Sequence, residues 1–398
     1  MAELTNGFEA LEELGAFELA GNKNDKPLSE KDINILKIVV GQIEQTTKAM
    51  SVMANVAEMQ SIEACIENVH TIKTDPSMQD FCQVMPQSSF KKMIDAATKD
   101  MPENVAEKFG KLNKEQKINV LAAAPENMSF FLDRKPYNEL EEKLVGLYAK
   151  VFKEYPDIIS RGQDKDAQEV LTEVLSSGAR EMLDNAWKSE KLQDRVDAVR
   201  TTCQALFKKD ERDYPFKICS GGNGIAGAYD EKADFGVVSD RLLSFPDWSM
   251  AMFTTIHENQ HRLQHLQIKK LKAGDIQEDT AEYFQARIFK ANFEGGYLVD
   301  YTKRTDLEKQ ANYEDYIMQP VELNANNAGF NFAESFSVAI IEQKLASYKN
   351  GILSSRRAKE QLKRDRERDP ESLTRKPTND EYRKAGLFSL MNGKNNSR

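Results

Sequence analysis

From about Ser29 to Phe207 the sequence repeats one constraint: apolar residues recur at helical spacing in run after run, with prolines punctuating the gaps. The run L-S-E-K-D-I-N-I-L-K-I-V-V-G-Q-I offers Ser29 as an N-cap, with Asp32 three residues on in a relative of the capping box. Ile33, Leu36 and Val40 follow on one face, and one long helix or a helical pair is expected to reach Thr74. Further helical patterns lie in N-V-A-E-K-F-G-K-L, E-L-E-E-K-L-V-G-L-Y-A-K-V-F and A-Q-E-V-L-T-E-V-L. The expected breaks are D-P-S, A-P-E and Y-P-D. No fixed-period repeat is visible.

The texture changes near Tyr214. The stretch F-K-I-C-S-G-G-N-G-I-A-G-A-Y-D-E-K-A-D-F-G-V-V-S is Gly-rich and extended, with short apolar runs either side of D-E-K, as in a hairpin or a pair of neighbouring strands. Helical pattern resumes after Pro246 and Asp247, where Phe253, Ile256, Leu263 and Leu266 share a face. Another helix is expected from Q-P-V-E, because Pro320 suits a first helical turn. The fold class is therefore α+β, mostly α. Its expected division is a helical region over 1–205, a mixed domain over 206–350, and a flexible mixed-charge tail over 351–398.

Charge is distributed unevenly. Residues 351–398 hold 13 Lys/Arg against 7 Asp/Glu, a net of +6, which leaves -15 of the overall -9 on the rest. An acidic body repels a phosphate backbone, so nucleic acid is not an expected partner. No uncharged apolar run approaches the roughly 20 residues that span a bilayer, so no membrane span is expected. The acidic N-terminal stretch does not resemble a secretory signal, which points to a cytoplasmic protein or one exported by a non-Sec route. Cys65, Cys82, Cys203 and Cys219 form no C-x-x-C pair, and a reducing compartment follows as the default.

Three of the four histidines fall in T-T-I-H-E-N-Q-H-R-L-Q-H, residues 254–265. On a helix His257 and His261 emerge one turn apart from one face, close enough to grip one metal ion. Glu258 is rotated from His257 by about 100 degrees, which places it beside such a metal rather than on it. There it can take a proton from water activated by zinc. This H-E-x-x-H arrangement is that of zinc metallopeptidases.

At these residues the chain resembles the zincins, specifically their glutamate-ligand branch. It is similar to small bacterial zincin-like proteins that read H-E-x-x-H-x-x-Q and then Y-x-x-Q-P-x-E-x-x-A, and here Y-I-M-Q-P-V-E-L-N-A occupies 316–325. The resemblance covers about residues 214–345. It implies a small sheet before the active-site helix, with strands from G-I-A-G-A-Y-D and D-F-G-V-V-S, and a substrate peptide pairing with the edge strand. It also implies a Zn2+ cofactor, Glu322 as third ligand and Gln264 in the site's surroundings.

Three residues compete for the third ligand position. His265 drifts by about 80 degrees from His257 along an unbroken helix, which turns it away. Glu282, 20 residues after His261, fits only loosely the spacing of other glutamate-branch zincins. Glu322 sits at a helix start fixed by Pro320, although an acid there is also favoured by the helix dipole alone. For a donor to the developing oxyanion, Tyr316 is nominated among Tyr283, Tyr297, Tyr313 and Tyr316. His70 has no ligand neighbour and reads as an ordinary helix histidine.

The leading expectation is a zinc endopeptidase acting on a protein or peptide substrate, with the helical region selecting substrate or restraining the site. The alternatives are a non-enzymatic interaction protein on a zincin scaffold and a metal-dependent hydrolase of a non-peptide amide. Both histidines and Glu258 are present, which favours chemistry over a decayed scaffold.

Overall fold

The computed structural model of the chain describes residues 28–70, 72, 84–128, 134–160, 178–206, 216–219, 226–298, 306–334 and 338–368. It is mostly helical with one small sheet. Helix α1, Glu30–Glu67, starts at a true capping box: Asp32 N–H donates to the Ser29 hydroxyl and Ser29 N–H donates to Asp32 Oδ2, each at 3.2 Å. The next helices are α2 (Gln87–Lys99), α3 (Glu103–Gly110), α4 (Lys114–Met128), α5 (Arg134–Glu154) and α6 (Pro156–Ser160). Then come α7 (Arg180–Lys188) and α8 (Leu192–Leu206). Tyr155-Pro156 does separate two helices, but A-P-E does not, since α4 runs on through Pro125 to Met128. A-Q-E-V-L-T-E-V-L and D-P-S lie outside the described residues.

The Gly-rich stretch supplies β1 (Phe216–Cys219), β2 (Gly227–Asp230) and β3 (Phe235–Ser239), in the order β1-β3-β2. β2 and β3 form the expected hairpin, antiparallel with Gly227 opposite Val238, while β1 runs parallel to β3. β3 is buried throughout because both its faces are covered. Phe235 and Val237 pack on Met85, Met93 and Ile118, and Val238 packs towards Leu183, Val199 and Met252. β2 is an edge strand, and among the described residues no strand pairs with its other side.

After a short turn of helix, α9 (Asp240–Leu243), come α10 (Ser249–Ala273), α11 (Ala281–Phe293), α12 (Asp306–Ile317), α13 (Pro320–Glu334) and α14 (Val338–Arg368). α10 ends at Gly274 in the left-handed conformation, φ 80°, whose N–H caps Leu271 O. α13 lies along α10, and Gly329 permits the approach: a Cβ there would stand 2.8 Å from the Phe253 ring. Among the described residues no helix is long and apolar enough to cross a membrane.

Two features bear on how these parts are joined. Hydrophobic clusters draw side chains from both sides of residue 205. Leu36, Val40 and Ile43 of α1 and Leu144 and Tyr148 of α5 pack with Phe284 and Ile288 of α11, Leu323 of α13 and Ile352 of α14. The helical region is thus part of the core around the later residues, because the inner faces of α11 and α13 need an apolar partner. Nor is the tail free from residue 351 onwards. Ile352, Ser355 and Ala358 are buried, the Ser355 hydroxyl donates to Ala311 O at 2.6 Å, and Arg356 and Lys359 pair with Glu314 and Asp315. The mixed charge of this segment finds its counterpart on α12. Residues 369–398 lie outside the described residues.

Candidate metal centre

α10 is apolar on its inner surface over its first two turns, through Ala251, Met252, Phe253 and Ile256. From Glu258 to His265 the buried positions are polar: Glu258, Asn259, Gln260, His261, Arg262, Gln264 and His265. Burying so many polar groups is tolerable only where partners are built for them.

The structure brings His257, His261 and Glu322 together, with ligand atoms all within 4.8 Å of one another. The two imidazole Nε2 atoms are 3.2 Å apart, His257 Nε2 is 3.3 Å from Glu322 Oε2, and His261 Nε2 is 3.5 Å from Glu322 Oε1. A tetrahedral ion with bonds of about 2.0–2.1 Å requires donor separations of about 3.3 Å. The three donors therefore stand at separations that a tetrahedral ion could bridge, and two imidazoles with a carboxylate are a donor set that such an ion accepts.

The tautomer of His261 is fixed by an amide network. Gln264 Nε2 donates to Val321 O at 2.9 Å and to Asn324 Oδ1 at 2.8 Å, so its Oε1 is the atom that faces His261 Nδ1 at 3.0 Å. Val321 O can only accept, and that settles the amide's orientation. Nδ1 of His261 then carries the proton and Nε2 presents a lone pair to the cluster. Asn324 is set in turn: its Oδ1 also accepts from Gln260 at 2.9 Å and its Nδ2 donates to Ile159 O of α6 at 2.8 Å. A backbone carbonyl from the N-terminal half thus anchors the metal-side network. His257 is held less completely, for among the described residues its buried Nδ1 has no hydrogen-bond partner.

Charge in the cluster is tightly coupled. Burial raises the Glu322 carboxyl, but His261 and His257 beside it and the Tyr297 hydroxyl that donates to Oε1 outweigh burial and hold it far below the usual range. Burial, with His257 adding repulsion, pushes His261 well down against the pull of Glu322. His257 is pressed down by burial too, but the hydrogen-bonded Glu322 carboxylate and Glu258 hold it above its ordinary value. Two imidazoles this close carry at most one proton of charge between them.

Glu258 is buried next to the cluster and outside its donor set, and burial pushes its carboxyl up to about 7. β2 crosses directly over it. A Cβ on Gly227 would stand 2.6 Å from Thr254 Cγ2 and 2.9 Å from Glu258 Oε1, so only glycine lets this strand lie on the helix. The hairpin is tied down again further along, where His265 Nδ1 is 3.1 Å from Glu231 Oε2 and the His265 ring stacks on Phe293 with centroids 4.0 Å apart. His265 points away from the cluster as the helical angle requires, and Glu282 is exposed at the start of α11, also outside it.

Tyr316 and Tyr297 meet edge to face, centroids 6.1 Å apart; the Tyr297 hydroxyl donates to Glu322 Oε1, and the Tyr316 hydroxyl is near enough for the Glu322 charge to raise it. Tyr316 is the donor expected from the sequence, and nothing in the local pattern distinguishes Tyr297. Tyr283 lies instead under Arg287, Tyr313 is crowded against Gly351, and His70 is exposed just past the end of α1. Asn324 and Gln260 were missed as well, although amides on buried helix faces are a readable signal. Comparison with known protein families, with curated proteins and with solved structures found no match.

Proposed function

We propose that the chain is a zinc-dependent peptidase of the glutamate-ligand zincin type. The observation that carries this reading is the approach of His257 Nε2, His261 Nε2 and the Glu322 carboxylate at tetrahedral spacing, with a second carboxyl, Glu258, buried beside them and titrating near neutrality. A zinc ion so held supplies a Lewis acid that makes water nucleophilic near pH 7. Glu258 is the base that takes the proton from the attacking water and passes it to the leaving amine. The open side of β2 offers backbone N–H and C=O groups to an extended substrate immediately above Glu258. Tyr316, at the cluster, is the candidate donor to the developing oxyanion.

The test is a cleavage screen of the zinc-loaded chain against an unbiased peptide library, with Glu258→Gln as control. Cleavage by the wild type, reduced by at least about a thousandfold in a Glu258→Gln variant that still holds zinc, is the expected result. Hydrolysis confined to non-peptide amides would reassign the substrate class. Bound zinc with no hydrolysis of either would leave an interaction protein on this scaffold.

A further inference from the structure

Lys344 of α14 is a cation in this neighbourhood that the proposed chemistry does not use. Its ammonium lies 4.6 Å from the centre of the Phe253 ring and 5.7 Å from that of Tyr348. Phe253 is one turn before His257 on α10, and the lysine is near enough for its charge to press on the His257 imidazole. Several other cations of these helices have acids: Arg356 and Lys359 have Glu314, Lys272 and Lys290 share Glu294, and Arg287 has Glu44. Lys344 has no carboxylate within ion-pair distance among the described residues, only the two aromatic faces.

Resting on the peptidase reading above, we propose that Lys344 is the receptor for a carboxylate of the substrate, an acidic side chain within one or two residues of the bond that is cut. Aromatic faces attract an ammonium but do not replace the hydrogen bonds it loses on leaving water. Burial accordingly pushes the Lys344 amine down to about 8, and an arriving carboxylate supplies what is missing. The distance is suitable. The four residues from Phe253 to His257 advance about 6 Å along α10, and an extended peptide advances about 3.3 Å per residue, so a group bound at Lys344 belongs to a residue next to the reacting one or the one after. Phe253 and Tyr348, the latter fixed by its hydrogen bond to Asn326 Oδ1 at 2.7 Å, wall the same place with apolar surface that fits the side chain's methylenes.

The experiment uses two short hydroxamates that differ only in a terminal carboxylate or its primary amide, titrated by calorimetry into the full-length zinc-loaded protein. The hydroxamate group addresses the metal and the far end addresses Lys344, and no turnover is needed. The expected result is a preference of about tenfold or more for the carboxylate probe, abolished in Lys344→Met and in Lys344→Gln, with affinity for the amide probe unchanged in both. The unchanged amide affinity also shows that the variants fold. Equal affinity of the two probes for the wild type, or a preference that survives both substitutions, overturns the assignment while leaving the peptidase reading in place. Failure of both probes to bind the zinc-loaded wild type removes the open metal site, and the Lys344 assignment with it.

Discussion

Gln264 stands one residue short of a helical turn beyond His261, and its Oε1 lies 3.0 Å from His261 Nδ1 while its Nε2 is spent on Val321 O and Asn324 Oδ1. The side chain therefore reads in one orientation and imposes one tautomer on the histidine, and it does so through contacts to the helix that carries Glu322. The third residue after H-E-x-x-H is thus coupled by geometry to the helix that carries Glu322.

Replacing Gln264 by alanine is expected to weaken zinc binding by about 10- to 100-fold, since His261 loses the group that orients it. The metal-free protein loses stability too, by on the order of 1–3 kcal/mol, because Asn324 and Val321 O are left short of a donor. Chelator competition and urea unfolding measure the two effects separately.

Glu258 carries a pH signature. Its folded value of about 7 exceeds the ordinary 4.5, so the folded state binds the proton more tightly than the unfolded chain does. Its ionisation therefore costs folding nothing below about pH 4.5, and costs progressively more as pH rises through 7. The rise corresponds to about 3 kcal/mol for a fully buried group. Without metal, Glu258→Gln should be more stable than wild type at pH 8 by up to about that amount and indistinguishable at pH 4. Denaturant titrations of the two proteins at both pH values check the sign.

Gly227→Ala places a methyl group into Thr254 Cγ2 and Glu258. Strand β2 must lift from α10, and hydrolysis should fall by at least about tenfold through misplacement of the strand against the base, whereas zinc content stays at the wild-type level. Loss of zinc in this variant would show that the strand supports the ligands themselves.

How much of this was legible in the sequence differs from residue to residue. Ser29 and Asp32 announced α1, the turn around D-E-K announced the β2–β3 hairpin, and the spacing of His257, His261 and Glu258 announced which side chains share a face, because each of these signals is local. Q-P-V-E gave the start of α13, yet the choice of Glu322 over Glu282 depended on which helix lies against α10, and that is set by long-range packing. The same limit explains why Asn324 and Ile159 O, 165 positions apart, were not paired in advance. It also explains the tail, since nothing in S-R-R-A-K-E-Q-L-K records that Glu314 and Asp315 wait on a neighbouring helix.

Ile352 joins the cluster that holds α1, α5 and α11 together, so Ile352→Ala should cost about 2–5 kcal/mol in urea unfolding, as a core truncation does. A change within about 0.5 kcal/mol, typical of an exposed site, would show that α14 does not pack there.

The central claim is that His257, His261 and Glu322 form one metal site and that Glu282 is not part of it. Metal analysis of the purified chain after equilibration with zinc and removal of excess tests this most directly. About one zinc per chain is predicted for the wild type and for Glu282→Ala, with essentially none for His261→Ala and for Glu322→Ala. Stoichiometric zinc retained by His261→Ala or Glu322→Ala, or lost from Glu282→Ala, would contradict the account.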